Sequence, residues 1–233
     1  FRRVLFRSRP RIASPHLAAA FVDPAIAFVQ AKGGSFRFGQ RVRGIAFDGP
    51  RLGGLDLGET TLPVAASDRV ILAVPPWIAK TLLPSIPAPD DFRAIVSGHF
   101  KIAPPPGAAP ITGLVGGMVE WVFAFPDRIS VTVSNADRLI DRDREDLAQA
   151  CWREAAGVLG LSATLPPWQI VKEKRATFAA TPEQDARRPG AGTRWRNLFL
   201  AGDWTGTGLP ATIEGALRSG ETAAALAARH LSL

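Results

Sequence analysis

The chain has 233 residues, 46% hydrophobic and 21% charged, which excludes a largely disordered protein and leaves material for one or two domains. A single cysteine, Cys151, excludes a disulfide scaffold and fits a reducing compartment. The scattered His16, His99 and His230 lack a Cys pair, so no metal site is expected. The formal charge of +7 points towards nucleic acid, but Arg2, Arg3, Arg7, Arg9 and Arg11 all lie in residues 1–11; the remainder carries 7 − 5 = +2, and no nucleic-acid partner is expected.

Residues 1–11 have no starting Met, no long apolar centre and no small-residue cleavage site. A basic membrane-touching arm, a transit-like peptide and a cloning or assembly scar compete for this stretch. The scar is the preferred reading, and it makes the leader non-native. No apolar run reaches the roughly 18 residues of a membrane span.

In chain order, Asp23-Pro24, an apolar-periodic run and Gly33-Gly34 predict a short helix with Asp23 as N-cap. Phe36, Phe38, Val42 and Ile45 predict strands, with a turn near Asp48-Gly49-Pro50. The run Arg69-Val70-Ile71-Leu72-Ala73-Val74 reads as a strand buried on both faces, stopped by Pro75-Pro76. Residues 84–110 are proline-rich and read as a link between layers or domains, with a strand near 95–102. Val119, Trp121, Phe123 and Phe125, a turn at Pro126-Asp127, then Ile129, Val131 and Val133 predict a hairpin with one strongly apolar face. An amphipathic helix is expected over 142–160, with Leu147, Cys151, Ala155 and Val158 on one side. That places Cys151 as a core thiol. The charges between Asp137 and Asp146 read as a solvated, paired face. His99, in a predicted strand, reads as structural.

The last forty residues carry the strongest chemical signal. Asn197-Leu198-Phe199-Leu200-Ala201 is a buried-strand pattern, Gly202 to Pro210 a turn, and 211–230 a helix rich in small residues. A helix start offers N–H groups without intrahelical partners and a partial positive charge, so it suits an anion or a carbonyl. Gly206-Thr207-Gly208-Leu209-Pro210-Ala211 matches dinucleotide-fingerprint spacing. Such a unit needs a second strand with an acid about 20 residues on, and none follows; a closing strand–helix unit aimed at something already bound fits better. Asp203, just past the strand, stands where open α/β sheets contact ligands, or else caps the turn. Gly215 and Gly220 inside the helix each cost about 1 kcal/mol relative to Ala, which a close approach would justify. Gly-x-Ser-x-Gly and phosphate-loop patterns are missing.

Leu200-Ala201-Gly202-Asp203-Trp204-Thr205, Gly208-Leu209-Pro210-Ala211-Thr212-Ile213-Glu214-Gly215-Ala216 and Arg218-Ser219-Gly220 resemble the C-terminal flavin motif of the flavin amine oxidase and phytoene desaturase superfamily. The Asp23-Pro24-Ala25 stretch, Val74-Pro75-Pro76-Trp77, Glu120-Trp121-Val122-Phe123 and Glu173-Lys174-Arg175-Ala176-Thr177-Phe178-Ala179-Ala180-Thr181-Pro182 narrow the resemblance to the hydroxysqualene dehydroxylase family, FAD-dependent enzymes of bacterial hopanoid synthesis. That family opens with a strand, a Gly-x-Gly-x-x-Gly loop and a helix holding the FAD pyrophosphate, which this chain lacks. The resemblance therefore implies a mixed α/β fold (α+β mixed): the C-terminal part of a two-domain, Rossmann-like FAD-binding fold with an antiparallel-sheet substrate domain and without the N-terminal βαβ unit. Residues 12–80 and 190–233 would belong to the FAD-binding domain and 81–189 to the substrate-binding domain.

By the same resemblance, FAD is the cofactor. Gly202, Asp203, Trp204, Leu209, Pro210, Ala211, Thr212, Ile213 and Glu214 would form its binding stretch. Asp203 would hydrogen-bond the ribityl chain, and the N–H groups near Thr212-Ile213 the pyrimidine carbonyl. Val42 would offer its backbone to the adenine, and Glu214 would orient the helix end or suit its dipole. Trp121 and Phe123 would line an apolar channel, or serve as plain core. The implied reaction is reductive loss of an allylic hydroxyl from hydroxysqualene, giving squalene, with no catalytic residue assigned. The implied partners are the isoprenoid substrate and the missing N-terminal half. The expected location is the bacterial cytoplasm, with peripheral contact on the inner face of the membrane. A carotenoid-type desaturase, a flavin amine oxidase and a non-catalytic fragment stay open. The absence of tyrosine disfavours amine oxidation.

Overall fold

A computed structural model describes residues 12–229; the leader 1–11 and His230 lie outside the described residues. The chain divides into a unit ending at Arg41 and a larger one starting at Val42.

In the first unit a π-helical turn, Ala18–Val22, runs directly into α1 (Asp23–Ala31). Asp23 is therefore not an N-cap: the preceding residues are already helical, and Val22 holds the cap position without a side-chain bond. Pro24 stands at the join of the two, where the helix passes from π to α geometry. Gly33, at φ +85°, ends the helix. Phe36 and Phe38 form no strand. Their rings stack at 5.9 Å, and Phe38 is 77% exposed.

The second unit holds three sheets. β1 (Gly44–Asp48), β2 (Arg51–Asp56) and β3 (Thr61–Pro63) form an antiparallel meander, and the first turn falls at Gly49-Pro50 as the sequence predicts. β4 (Val70–Leu72) pairs in parallel with β10 (Leu198–Leu200). β10 is buried throughout, but β4 is not buried on both faces. Helix α5 (Ile213–Arg229) packs its small residues Ala223 and Ala227 on Phe199 and Ala201, and leaves Ile71 40% exposed at the margin. The other face of the pair packs Leu72, Leu198 and Leu200 against Leu82 and Leu83 at the end of α2 (Pro76–Leu82).

The third sheet is antiparallel in the order β6-β7-β8-β5-β9, with β5 at Phe92–Phe100, β6 at Ile111–Gly113, β7 at Trp121–Phe125, β8 at Arg128–Val133 and β9 at Trp168–Phe178. Its inner face buries Val96, Phe100, Val122, Ile129, Val131 and Ile170 beneath α3 (Arg144–Leu159). Asp143 caps α3 by accepting from the N–H groups of Glu145 and Asp146, and Gly160 closes it in the left-handed conformation; the short α4 (Pro182–Asp185) follows β9 and is capped by Thr181.

The buried stripe of α3 is Leu147, Ala148, Cys151, Trp152, Ala155 and Ala156. Val158, expected there, is exposed: the stripe extends towards Ala148, Trp152 and Ala156 and leaves Val158 at its opposite margin, in the last turn. No ion pair joins the charges of 137–146 among the described residues; Lys172 instead donates to the carbonyls of Ile140 and Arg142. Burial pushes the Cys151 thiol up to about 11, so it stays protonated at neutral pH, as a core thiol should.

The predicted hairpin exists, but its single apolar face does not. The two-residue turn at Pro126-Asp127 places Phe125 opposite Arg128, Phe123 opposite Ser130 and Trp121 opposite Thr132. Odd-numbered residues of β7 therefore share a face with even-numbered residues of β8. Val122 joins Val131 and Ile129 in the core, with Ala124 half-buried on the same face, while Trp121, Phe123 and Phe125 lie on the outer face, Trp121 45% exposed. His99 shares that outer face and hydrogen-bonds Ser130 through Nδ1 at 2.9 Å.

Candidate functional site

The end of β10, the loop that follows it and α5 make the site. Gly202 sits at φ +140°, a region closed in practice to other residues. A Cβ there would lie 2.6 Å from Trp204 Cδ1 and overlap Nε1 as well. Trp204 cannot yield. It is 1% exposed, and its Nε1 donates to the carbonyl of Val74 at 2.8 Å, tying the loop to the end of β4. The Gly202 N–H donates to Ser219 Oγ of α5 at 2.7 Å, so loop and helix are joined across Gly202. Thr205 closes the turn by donating from both N–H and Oγ1 to the Gly202 carbonyl.

Arg188 holds the other side of this loop. Its side chain is 5% exposed. Nε donates to the Thr205 carbonyl at 3.0 Å, and Nη2 to the Asp203 carbonyl and Thr207 Oγ1, both at 3.1 Å. Nη1 meets Asp185 at 3.0 Å, and the guanidinium lies 5.0 Å from the Phe178 ring centroid. A planar fork of donors suits this multi-point clamp. Sequence reasoning passed Arg188 over: it stands in a polar stretch, Arg187-Arg188-Pro189-Gly190, and nothing local separates it from its exposed neighbour Arg187.

The loop borders a cavity of about 310 Å³ lined by Val74, Trp77, Phe92, Arg175, Phe178, Gly202, Asp203 and Trp204. Asp203 is half-buried there. Burial pushes its carboxyl above the usual aspartate range, partly countered by the Trp204 N–H and the charge of Arg188. Among the described residues, only backbone N–H groups reach the carboxylate. A desolvated acceptor facing a cavity without a side-chain donor fits a polyhydroxylated ligand.

A carboxyl whose pKa rises on folding loses stability as pH climbs past its unfolded value, and the whole loss is in force above the folded value. Asp203→Asn is therefore expected to melt like the parent below about pH 4 and later than the parent at neutral pH. Melting curves at both pH values check this; an Asn variant less stable at neutral pH than the parent would refute the assignment of strain to the carboxylate.

The remaining sequence-predicted residues divide. Gly202, Asp203 and Trp204 come together at the cavity. Leu209, Pro210, Ala211 and Thr212 form the approach to α5, and Ile213 and Glu214 begin its first turn, all outside that lining. Thr212 caps the helix by accepting from the Gly215 N–H at 3.1 Å, and the Ile213 and Glu214 N–H groups have no acceptor among the described residues. Glu214 pairs with Arg218 at 2.7 Å on the exposed surface, so it serves the helix rather than the cavity. Gly215 has a reason, since a Cβ there would stand 3.0 Å from the Pro210 carbonyl oxygen; Gly220 faces open space, so no close approach explains it.

Val42 packs with the β1–β2–β3 meander and core, away from the cavity lining. Trp121 and Phe123 lie on the outer face of the five-stranded sheet. Trp77, Arg175 and Phe178 also line the cavity, and each stands inside a motif that carries the family resemblance.

A glycine-containing strand–turn–helix closing an α/β unit over a cavity, beside an antiparallel sheet, defines a class. The chain belongs to the flavin containing amine oxidoreductase family, whose model matches residues 15–228. Within it, the chain is similar to the hydroxysqualene dehydroxylase of Rhodopseudomonas palustris, 55% identical over 94% of this chain and 52% of the relative. It is also similar to that of Sinorhizobium fredii, 52% identical over the same shares. The chain thus spans about half the length of the curated relatives it matches. Among solved structures, an Exiguobacterium sp. 255-15 protein assigned as a protoporphyrinogen oxidase superposes with a TM-score of 0.62 at 17% identity. The match covers 86% of this chain and 48% of that one, and is a likeness of fold alone.

Proposed function

We propose that the chain is the C-terminal part of an FAD-dependent hydroxysqualene dehydroxylase. The observation that carries this is the desolvated Asp203 carboxylate at the mouth of a cavity built by a rigidly held Gly202–Thr207 loop. In this reading, residues 12–80 and 190–233 contribute to the FAD-binding domain and 81–189 make the substrate-binding domain. A βαβ unit elsewhere in the longer protein holds the FAD pyrophosphate. The names of the relatives support the activity.

Asp203 would accept from the ribityl hydroxyls, and the Ile213 and Glu214 N–H groups would face the pyrimidine carbonyl with the helix dipole behind them. Val42 would offer its backbone to the adenine. Reduced flavin, when bound, supplies the hydride that replaces the allylic hydroxyl, which leaves with a proton as water. Trp77, Phe92 and Phe178 keep water from that side of the cavity. The outer sheet face with Trp121 and Phe123 would guide a long hydrocarbon. No helix among the described residues is long and apolar enough to cross a membrane, so a bilayer-borne substrate would be met by peripheral contact.

The test supplies the longer protein with FAD, a reductant and hydroxysqualene or phytoene, and analyses the extracts. Squalene from hydroxysqualene, with phytoene untouched, is the expected result. Phytoene desaturation, or failure to retain FAD, would overturn it.

A further inference from the structure

A second cavity, of about 440 Å³, shares the Trp77–Phe92–Arg175 wall with the first and opens beyond it. Three cationic side chains line it, Lys80, Lys174 and Arg175, with a single carboxylate, Asp90. That carboxylate is already engaged: it accepts from Gln184 Nε2 at 3.0 Å and pairs with Arg187, and these contacts hold its carboxyl below the usual range. Among the described residues no carboxylate pairs with Lys80, Lys174 or Arg175. Lys80 is steadied by donating to the Ile86 carbonyl at 3.0 Å, and Arg175 stacks 4.9 Å from the Trp77 ring centroid.

The backbone is shaped for this convergence. Consecutive strand residues point to opposite faces, so Lys174 and Arg175 would not normally line one cavity. Here Arg93 opposes Thr177 and Ile95 opposes Glu173, so the three residues 174–176 stand against Ala94 alone. The bulge breaks the alternation and brings both cations to the same cavity, a device often found beside sites that bind. Like charges that outnumber the carboxylate beside them repel one another, and a bound anion removes that penalty. Next to them, the edge-on pair Trp77 and Phe92, 5.3 Å between centroids, offers an apolar wall to whatever the anion is attached to.

We infer that this cavity binds a diphosphate-bearing small molecule, its diphosphate among Lys80, Lys174 and Arg175 and its organic part against Trp77 and Phe92. The pocket adjoins the cavity assigned to the flavin across the shared Trp77–Phe92–Arg175 wall and differs from it by Lys80 and Lys174, and the inference stands whether or not the dehydroxylase reading is correct.

The test is calorimetric titration of the flavin-loaded longer protein with inorganic pyrophosphate, geranyl diphosphate and ADP. Pyrophosphate is expected to bind. Lys174→Gln combined with Arg175→Gln should weaken it at least tenfold, while Arg153→Gln, an exposed cation on α3, leaves it unchanged. Tighter binding of geranyl diphosphate than of ADP assigns the organic part as prenyl, and the reverse order assigns it as nucleotide. Equal weakening by Arg153→Gln, or pyrophosphate binding that vanishes when flavin is loaded, overturns the inference. Melting curves of the double variant guard against misfolding, since both side chains are exposed and their loss should leave the transition in place.

Discussion

Replacing Arg188 with Met is expected to lower stability by about 3 kcal/mol and to weaken flavin binding by roughly 10- to 100-fold. The reason is the number of groups that one guanidinium satisfies. The Asp203 and Thr205 carbonyls and the Thr207 hydroxyl would lose their charged donor together, in a place nearly closed to water. Arg188→Lys keeps the charge but not the planar fork, and should recover less than half of the loss. A purely structural role predicts lost stability alone. A positioning role also predicts a change at Asp203, because burial raises that carboxyl and the nearby Arg188 charge offsets part of the rise. In Arg188→Met the pH at which flavin affinity changes with Asp203 protonation should move upward. Denaturant melts read the first effect and flavin titrations across pH the second; a variant with unaltered pH dependence would reduce Arg188 to scaffolding.

Gly202→Ala is expected to be nearly as damaging, at about 3 kcal/mol, or on the order of 10 °C in melting temperature for a domain of this size. The methyl group meets Trp204 at 2.6 Å from Cδ1, and the backbone sits at a φ that alanine rarely adopts. The two sources of loss are separable by a double-mutant cycle. In a Trp204→Leu background the collision disappears and only the backbone strain remains, so Gly202→Ala should cost clearly less there than in the parent. Equal cost in both backgrounds would show that the indole is not what Gly202 accommodates.

How much of this was legible beforehand differs from element to element. β10, the glycine-rich turn and α5 were readable because an apolar run, clustered glycines and a small-residue helix follow one another without interruption. The β1–β2 turn was equally plain from Asp48-Gly49-Pro50. The hairpin shows a partial success: both strands were found, but their shared face was mis-set, although a two-residue turn already dictates that odd positions of one strand meet even positions of the other. β9 drew no prediction as a strand, because its polar Lys172-Glu173-Lys174-Arg175 centre conceals an eleven-residue strand and its bulge.

The family and the position of Asp203 past a strand end are properties of the chain's order of residues, and local pattern is enough to find them. The clamp from Arg188, the indole anchor from Trp204 to Val74 and the meeting of Lys80 with Lys174 and Arg175 are of another kind. Each joins residues many positions apart, and one charged side chain looks like any other until folding removes water from around it. Val74 and Trp204 are 130 positions apart in the chain and 2.8 Å apart in space. Local propensity carries no information about such a distance; it follows from the parallel pairing of β4 with β10, which brings the ends of both strands to the same edge of the cavity.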